Sequence, residues 1–207
     1  MPPPRQLLGG GIVIATHNPG KLQEFRSLFA DTAIVITTSD DHDLAAPDET
    51  GDTFAANAAI KAHAAARKTG LPAIADDSGL TVDALDGQPG IATADWAETA
   101  NGRDYPMAMR RVRNLLMSRS VPEPHRAQFR STLCVAWPDG HEQFYAGLVA
   151  GRLTWPMRGA LGFGFDPVFI PDGHTVTFGE MDRDRKNMIS HRALALKTFA
   201  AECLGAP

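Results

Sequence analysis

Asp76 and Asp77 stand together at the end of an apolar run, Pro72–Asp76 (PAIAD), and lead into Ser78 and Gly79. Adjacent side chains on an extended chain point to opposite sides, so one carboxylate can face a cleft while the other packs or caps locally. A carboxylate at a strand's end is well placed to hold Mg2+ and orient a water. The same pair also suits an Asx turn or a helix cap. Upstream, Asp48-Glu49-Thr50-Gly51 precedes Asn57 and Lys61, which share one helix face at i, i+4. Acidic residues there serve as dipole partners, and Lys61 alone reads as a solvated lysine. Glu49 together with Asp77 would nevertheless offer a divalent cation two carboxylates.

Three further stretches have types and spacing suited to a nucleotide. Thr16-His17-Asn18-Pro19-Gly20-Lys21 sits between a strand and a helix, where backbone N–H groups and the helix dipole favour an anion. Its spacing is not G-x-x-x-x-G-K-[ST], and Gly9–Gly11 precede the strand, so neither a Walker loop nor a dinucleotide fingerprint is present. An ordinary strand–helix turn fits the same residues. Gly162-Phe163-Gly164-Phe165-Asp166-Pro167 alternates aromatics with glycine, which lets something flat approach the backbone; tight aromatic packing is the alternative. Lys186-Asn187-Met188-Ile189-Ser190-His191-Arg192 places two donors behind a serine cap, unfavourable for the helix dipole unless an acceptor lies near.

Elements must position these groups. Gly11–Thr16 and Ala33–Thr37 read as short buried strands, with a helix over Lys21–Phe29 between them. The stretch Ser39–Asp52 carries too many turn formers to be an element. Asp52 or Thr53 caps an alanine-rich helix from about Phe54 to Lys68, closed by Gly70 and Pro72, before the strand Pro72–Asp76. Asp86–Gly102 reads as loop and Asp104–Ser118 as a helix. Ala127–Trp137, the Pro138-Asp139-Gly140 turn and Glu142–Arg152 form a hairpin, and Ser190–Leu204 a last helix. Strand–helix alternation followed by a hairpin predicts an α/β protein with a mixed sheet.

Composition narrows the class. The 207 residues are 43% hydrophobic and 21% charged, ordinary for a soluble globular protein. The apolar runs fall short of a membrane span, and MPPPRQLLGGG lacks the apolar stretch of a secretory signal, so residues 1–10 read as a flexible tail and the cytoplasm is expected. Cys134 and Cys203 are too far apart for metal-like spacing. A net charge of −4 disfavours a polymer-coating nucleic-acid binder, and a small anionic ligand would need local positive charge or a metal.

Read in order, these stretches resemble one family. T-x-N-x-x-K at Thr16, Asn18 and Lys21, ETG at Glu49–Gly51, F-x-x-N-A-x-x-K-A at Phe54–Ala62, ADDSGL at Ala75–Leu80, PGI at Pro89–Ile91, FGFDP at Phe163–Pro167 and K-N-x-I-S-H-R at Lys186–Arg192 are similar to the inosine triphosphate pyrophosphatase family, from about Ile12 to Leu204. The resemblance implies Mg2+-dependent hydrolysis of ITP, dITP and XTP to the monophosphate and pyrophosphate. It implies an elongated mixed β-sheet flanked by helices, residues 11–207 forming one domain of two lobes with the active site in the cleft between them, and a homodimer. Carried over, Thr16, His17, Asn18, Pro19, Gly20 and Lys21 wrap the phosphates. Glu49 and Asp77 hold Mg2+, and Asp77 is also the proton acceptor for the attacking water. Ser78 and Lys61 contact the phosphate or sugar. Phe163 stacks on the purine, and Gly164, Phe165, Asp166, Lys186, His191 and Arg192 complete the pocket.

His191 and Arg192 can donate to a 6-oxo group, whereas the amino group of adenine leaves such donors unpaired; polar matching of this kind discriminates by about 10⁴–10⁵. Three positions depart from the family's pattern: Asp95 where arginine is common, Phe165 for Tyr or Trp, and Ala193 for Gly. Two other readings remain at this point, a phosphomonoesterase using Asp77 as nucleophile and a nucleotide sensor without turnover. The first lacks the usual D-x-D arrangement, and the second has no use for a water-activating carboxylate.

Overall fold

The structure, a computed structural model, describes residues 4–205. Strand β1 (Gly10–Ile14) places Ile12, Val13 and Ile14 in the core, as β-branched residues buried on both faces of a parallel strand should lie. Helix α1 (Pro19–Phe29) starts where Asn18 accepts the N–H groups of Gly20 and Lys21 at 2.9 and 3.3 Å. Strand β2 (Ile34–Thr38) follows. Helix α2 (Phe54–Thr69) is capped by the Thr53 hydroxyl on the Ala56 N–H and closed by Gly70 at φ 69°. Ala58, Ala62, Ala65 and Ala66 form its buried stripe.

Strand β3 (Ala73–Val82) runs ten residues, so Asp76-Asp77-Ser78-Gly79 lies inside a strand and not after one. Turn-forming composition yields here to pairing within a sheet. The region from Asp86 to Gly102, expected as loop, contains short 3₁₀ turns and the two-residue strands β4 (Glu98–Thr99) and β5 (Gly102–Arg103). Helix α3 (Tyr105–Ser118) is capped by Asp104. The hairpin forms as expected from β6 (His125–Ala136) and β7 (Glu142–Leu153), turning at Gly140 with φ 88°. Two further elements escape the periodicity, β8 (Phe169–Pro171) and α4 (Arg183–Ile189), whereas α5 (His191–Cys203) starts behind Ser190 as expected.

The fold is α/β, with a six-stranded mixed sheet in the order β2-β1-β3-β6-β7-β8. Strands β1, β2 and β3 are parallel, and β8 is antiparallel to β7. The chain divides into two compact units. Among the described residues, the first holds residues 4–77, Ser131–Ala146 and residues 195–205. It has a core on each face of its sheet: Ile12, Ile14 and Ile74 pack with α1 and α5, while Val13, Ala73 and Ala75 pack with α2. The second unit, Ser78–Arg130 and Gly147–Leu194, has its own core around Leu80, Val112, Phe129 and Phe169.

Within residues 1–10, residues 1–3 lie outside the described residues, but the following stretch is docked. Leu7 is buried and donates its N–H to the Cys203 carbonyl at 2.7 Å, and Arg5 pairs with Asp139 at 2.6 Å. Burial of one apolar side chain on α5 holds what composition alone reads as a tail. Among the described residues, no helix is long and apolar enough to cross a membrane.

Candidate active site

In the first unit, β1 lies between β2 and β3, so the chain leaves it to opposite sides. Ligands in parallel sheets bind outside the carboxyl ends of strands at such a switch point. The loop Thr16–Lys21 leaves that end of β1. Ile14 is level with Ile74, and Ala15 donates to the Ile74 carbonyl at 2.8 Å, which brings the loop level with Asp76 and Asp77.

Alternation along β3 sends the two carboxylates to opposite faces. Asp76 follows Ile74 to the α1 side, where its fully buried side chain pairs with Lys21 at 2.8 Å. Asp77 follows Ala75 to the α2 side. There it accepts the Asn57 amide at 3.3 Å and lies 3.9 Å from the Lys61 ammonium. Lys61 also pairs with Glu49 at 3.0 Å. Asn57 accepts the Gly51 N–H at 2.8 Å, so one side chain ties the ETG segment to Asp77. A Cβ on Gly51 would stand 2.6 Å from that of Ala56, which explains a glycine here.

Burial pushes the Asp77 carboxyl up to about 6, with the Glu49 charge acting in the same direction and Lys61 and Lys21 against it. A carboxylate tuned toward neutrality has the basicity asked of a general base. Glu49 and Asp77 also suit a hard divalent cation. Their oxygens converge on the same ammonium group, which marks a position favourable to positive charge. Among the described residues no group of three or more His, Cys, Asp or Glu side chains is arranged to hold a metal. Two carboxylates completed by phosphate and water is the usual donor set for Mg2+.

The loop behaves differently from the expected cradle of open N–H groups. Asn18 accepts those of Gly20 and Lys21, and its own N–H donates to the Thr16 hydroxyl at 3.2 Å. The side-chain cap satisfies donors that would otherwise face a ligand. Pro19 opens the helix, and His17 is exposed and lies 3.2 Å from Asp40. Lys21, expected on phosphate, is held by Asp76.

The second unit gathers the remaining residues. Asp166 is buried, and its carboxylate accepts both the Phe163 N–H and the Lys186 ammonium. Burial raises its pKa and Lys186 opposes the rise. Phe163 is 58% exposed, whereas Phe165 is 1% exposed within the core. The ring expected to line a pocket is therefore packing, and a buried ring without a hydroxyl or indole N–H leaves no donor to satisfy. His191 stacks on Phe129 with centroids 5.0 Å apart and 12° between the planes. Arg192 donates to the Ser78 hydroxyl at 3.2 Å, the acceptor that its position in a helix's first turn requires. Ser190 caps α5 through the Ala193 N–H at 3.2 Å, and alanine suits that helical position. Beside Asp95, the Trp96 ring carries the Arg111 guanidinium at 4.0 Å.

Asp76, Asn57, Tyr105 and Phe129 contact these residues without a site role implied by the sequence. Asn57 carried a signal, since asparagine is a poor helix former inside an otherwise alanine-rich helix. Asp76 carried one too, as a charge within a buried strand. Nothing local marked Tyr105 or Phe129.

The Ham1 family matches residues 12–202. A dITP/XTP pyrophosphatase of Ruegeria pomeroyi is 56% identical over 197 residues, 95% of this chain and 97% of the relative. One from Brucella melitensis is 49% identical over 211 residues, 97% of this chain and 96% of the relative. The solved structure of a HAM1 protein from Coxiella burnetii matches with a TM-score of 0.87 at 34% identity, covering 92% of this chain and 96% of that one. A nucleoside-triphosphatase / dITP/XTP pyrophosphatase from Mycobacterium abscessus matches with a TM-score of 0.77 at 32% identity, covering 91% and 97%. With a match over nearly its whole length, and relatives at this identity, the chain belongs to the Ham1 family.

Proposed function

We propose that this chain is a nucleoside triphosphate pyrophosphatase acting on deaminated purine nucleotides, dITP, XTP and ITP, so removing them from the nucleotide pool. Water adds to the α-phosphorus, the α–β anhydride bond breaks, and the products are the nucleoside monophosphate and pyrophosphate. The observation that carries this reading is Asp77: a buried carboxylate raised toward neutrality, oriented by Asn57, with Glu49 sharing its lysine. Asp77 accepts the proton of the attacking water, and Asn57 holds the carboxylate in register with the ETG segment. Glu49 and Asp77 would hold Mg2+, which supplies charge neutralisation for the triphosphate. Lys61, paired with Glu49 and close to Asp77, would offer its ammonium to a phosphate bound at these carboxylates. Thr16 and His17 would meet the phosphates from the loop that follows β1.

Phe163, exposed and anchored through its backbone to Asp166, is the stacking surface for the purine. His191 and Arg192 are held by Phe129 and Ser78, which keeps their donors in place for the 6-oxo group. Lys186 is oriented by Asp166 beside them.

The test is pyrophosphate release from dITP, XTP, ITP, GTP and ATP, with Mg2+ and with EDTA. The expected outcome is fast, metal-dependent release from the first three and near inertness of the other two. Equal release from all five would sink the selectivity assigned to His191 and Arg192. Orthophosphate as the sole product would overturn the pyrophosphatase reading.

A further inference from the structure

The Phe-Gly-Phe run at 163–165 makes room for a flat group over Gly164, and a side chain of the chain itself takes that room. A Cβ built on Gly164 would lie 3.6 Å from the Tyr105 ring. That ring meets Phe163 edge-on with centroids 4.9 Å apart, and Phe165 edge-on at 6.2 Å. One neighbour of Tyr105 is therefore buried core and the other is the exposed Phe163.

Both partners of the contact are pinned. Tyr105 is the first residue of α3, and the preceding Asp104 accepts the Met107 N–H at 2.8 Å while donating its own N–H to the Ala97 carbonyl at 2.7 Å. On the other side, the buried Asp166 carboxylate accepts the Phe163 N–H. Gly162, at φ 78°, lets the loop close around that carboxylate, since a Cβ there would stand 2.1 Å from it. The backbone of Phe163 is thus fixed by Asp166, and only its side-chain torsions remain to be chosen. An exposed phenylalanine with no neighbour spreads over several rotamers. Tyr105 restricts that choice.

We propose that Tyr105 is a positioning residue for base recognition: its ring holds Phe163 in the orientation that receives a purine, without itself touching the base. The inference rests on Phe163 being the stacking surface. A stacking surface preorganised in this way strengthens binding and leaves the chemical step alone. It does so alike for different deaminated purines, because stacking is tolerant of the base.

The experiment measures kcat and KM for XTP and dITP in Tyr105→Leu, Tyr105→Phe, Phe163→Leu and the double variant Tyr105→Leu/Phe163→Leu, with folding followed by circular dichroism. An edge contact of this kind converts to about a three- to tenfold rise in KM for Tyr105→Leu, equal for both substrates, with kcat within about twofold. Tyr105→Phe keeps the ring and the wild-type KM. Adding Tyr105→Leu to Phe163→Leu changes KM no further, because the ring on which Tyr105 acts is gone. Multiplying effects in the double variant, a fall in kcat instead of a rise in KM, or Tyr105→Phe as damaging as Tyr105→Leu would each overturn the proposal. An unchanged KM in Phe163→Leu would instead remove the stacking reading on which it stands. Should Tyr105→Leu fail to fold, Tyr105→Met fills the same space without a ring and carries the same comparison.

Discussion

Asp76 and Asp77 are chemically identical neighbours with opposite surroundings. One pairs with Lys21 on the α1 side; the other faces Asn57 and Lys61 on the α2 side. For Asp77, burial outweighs the nearby lysine and raises its carboxyl to about 6 from 3.8. Between those two values the folded, metal-free protein binds the proton more tightly than the unfolded chain. The contribution of Asp77 to stability therefore falls as pH rises through that window and remains unfavourable above it. Asp77→Asn is expected to abolish pyrophosphate release while retaining nucleotide binding. In EDTA at pH 7.5 it is also expected to melt a few degrees higher than wild type, the gain vanishing near pH 4. Turnover near normal would take Asp77 out of the mechanism, and a melting gain independent of pH would refute the burial argument. That the two carboxylates face opposite sides follows from strand alternation; which helix each meets does not.

At the scale of elements, α2 works as a bracket. Its Thr53 cap sets the first turn, Asn57 reaches both the Gly51 N–H and Asp77, and Lys61 reaches Glu49 one turn later. Gly51→Ala would drive a methyl group into Ala56 and Asn57 and release the ETG segment from the helix. We expect kcat to fall by about tenfold or more, with the far-ultraviolet circular dichroism unchanged, because small misplacements of a reacting group are costly. Wild-type kcat in Gly51→Ala would show that the bracket is not needed. The long elements α2, α3, β6 and β7 were legible because caps, alternation and an Asp-Gly turn all agreed. Seven residues of α4 and three of β8 are too short for a period to show. Composition ends β3 at Asp76, where turn-forming residues outvote strand propensity locally, whereas pairing with neighbouring strands carries it to Val82.

Against a net charge of −4, lysines are set on carboxylates at the candidate site: Lys21 on Asp76, Lys61 on Glu49 and Asp77, and Lys186 on Asp166. Each unit has its own apolar core, and both cysteines belong to the cores of the first. Burial pushes the Cys134 thiol up to about 12 and raises Cys203 as well. Thiolate, the reactive form, is thus scarce at both positions. A chromogenic disulfide reagent at pH 8 is expected to find no reactive thiol in the native protein and two after denaturation. Rapid modification of the native protein would show that these cores open readily.

Residue types, their order and their spacing were enough to name the α/β class and the family, because caps, turns and motif order are local properties of the chain. Partners were decided only in three dimensions. That Asn18 satisfies the loop's own N–H groups, that Asp76 takes Lys21, that Phe165 is core while Phe163 is exposed, and that Tyr105 lies over Gly164 all depend on contacts brought together by folding. Burial and long-range pairing set those contacts, and neither is written in the neighbourhood of any one residue.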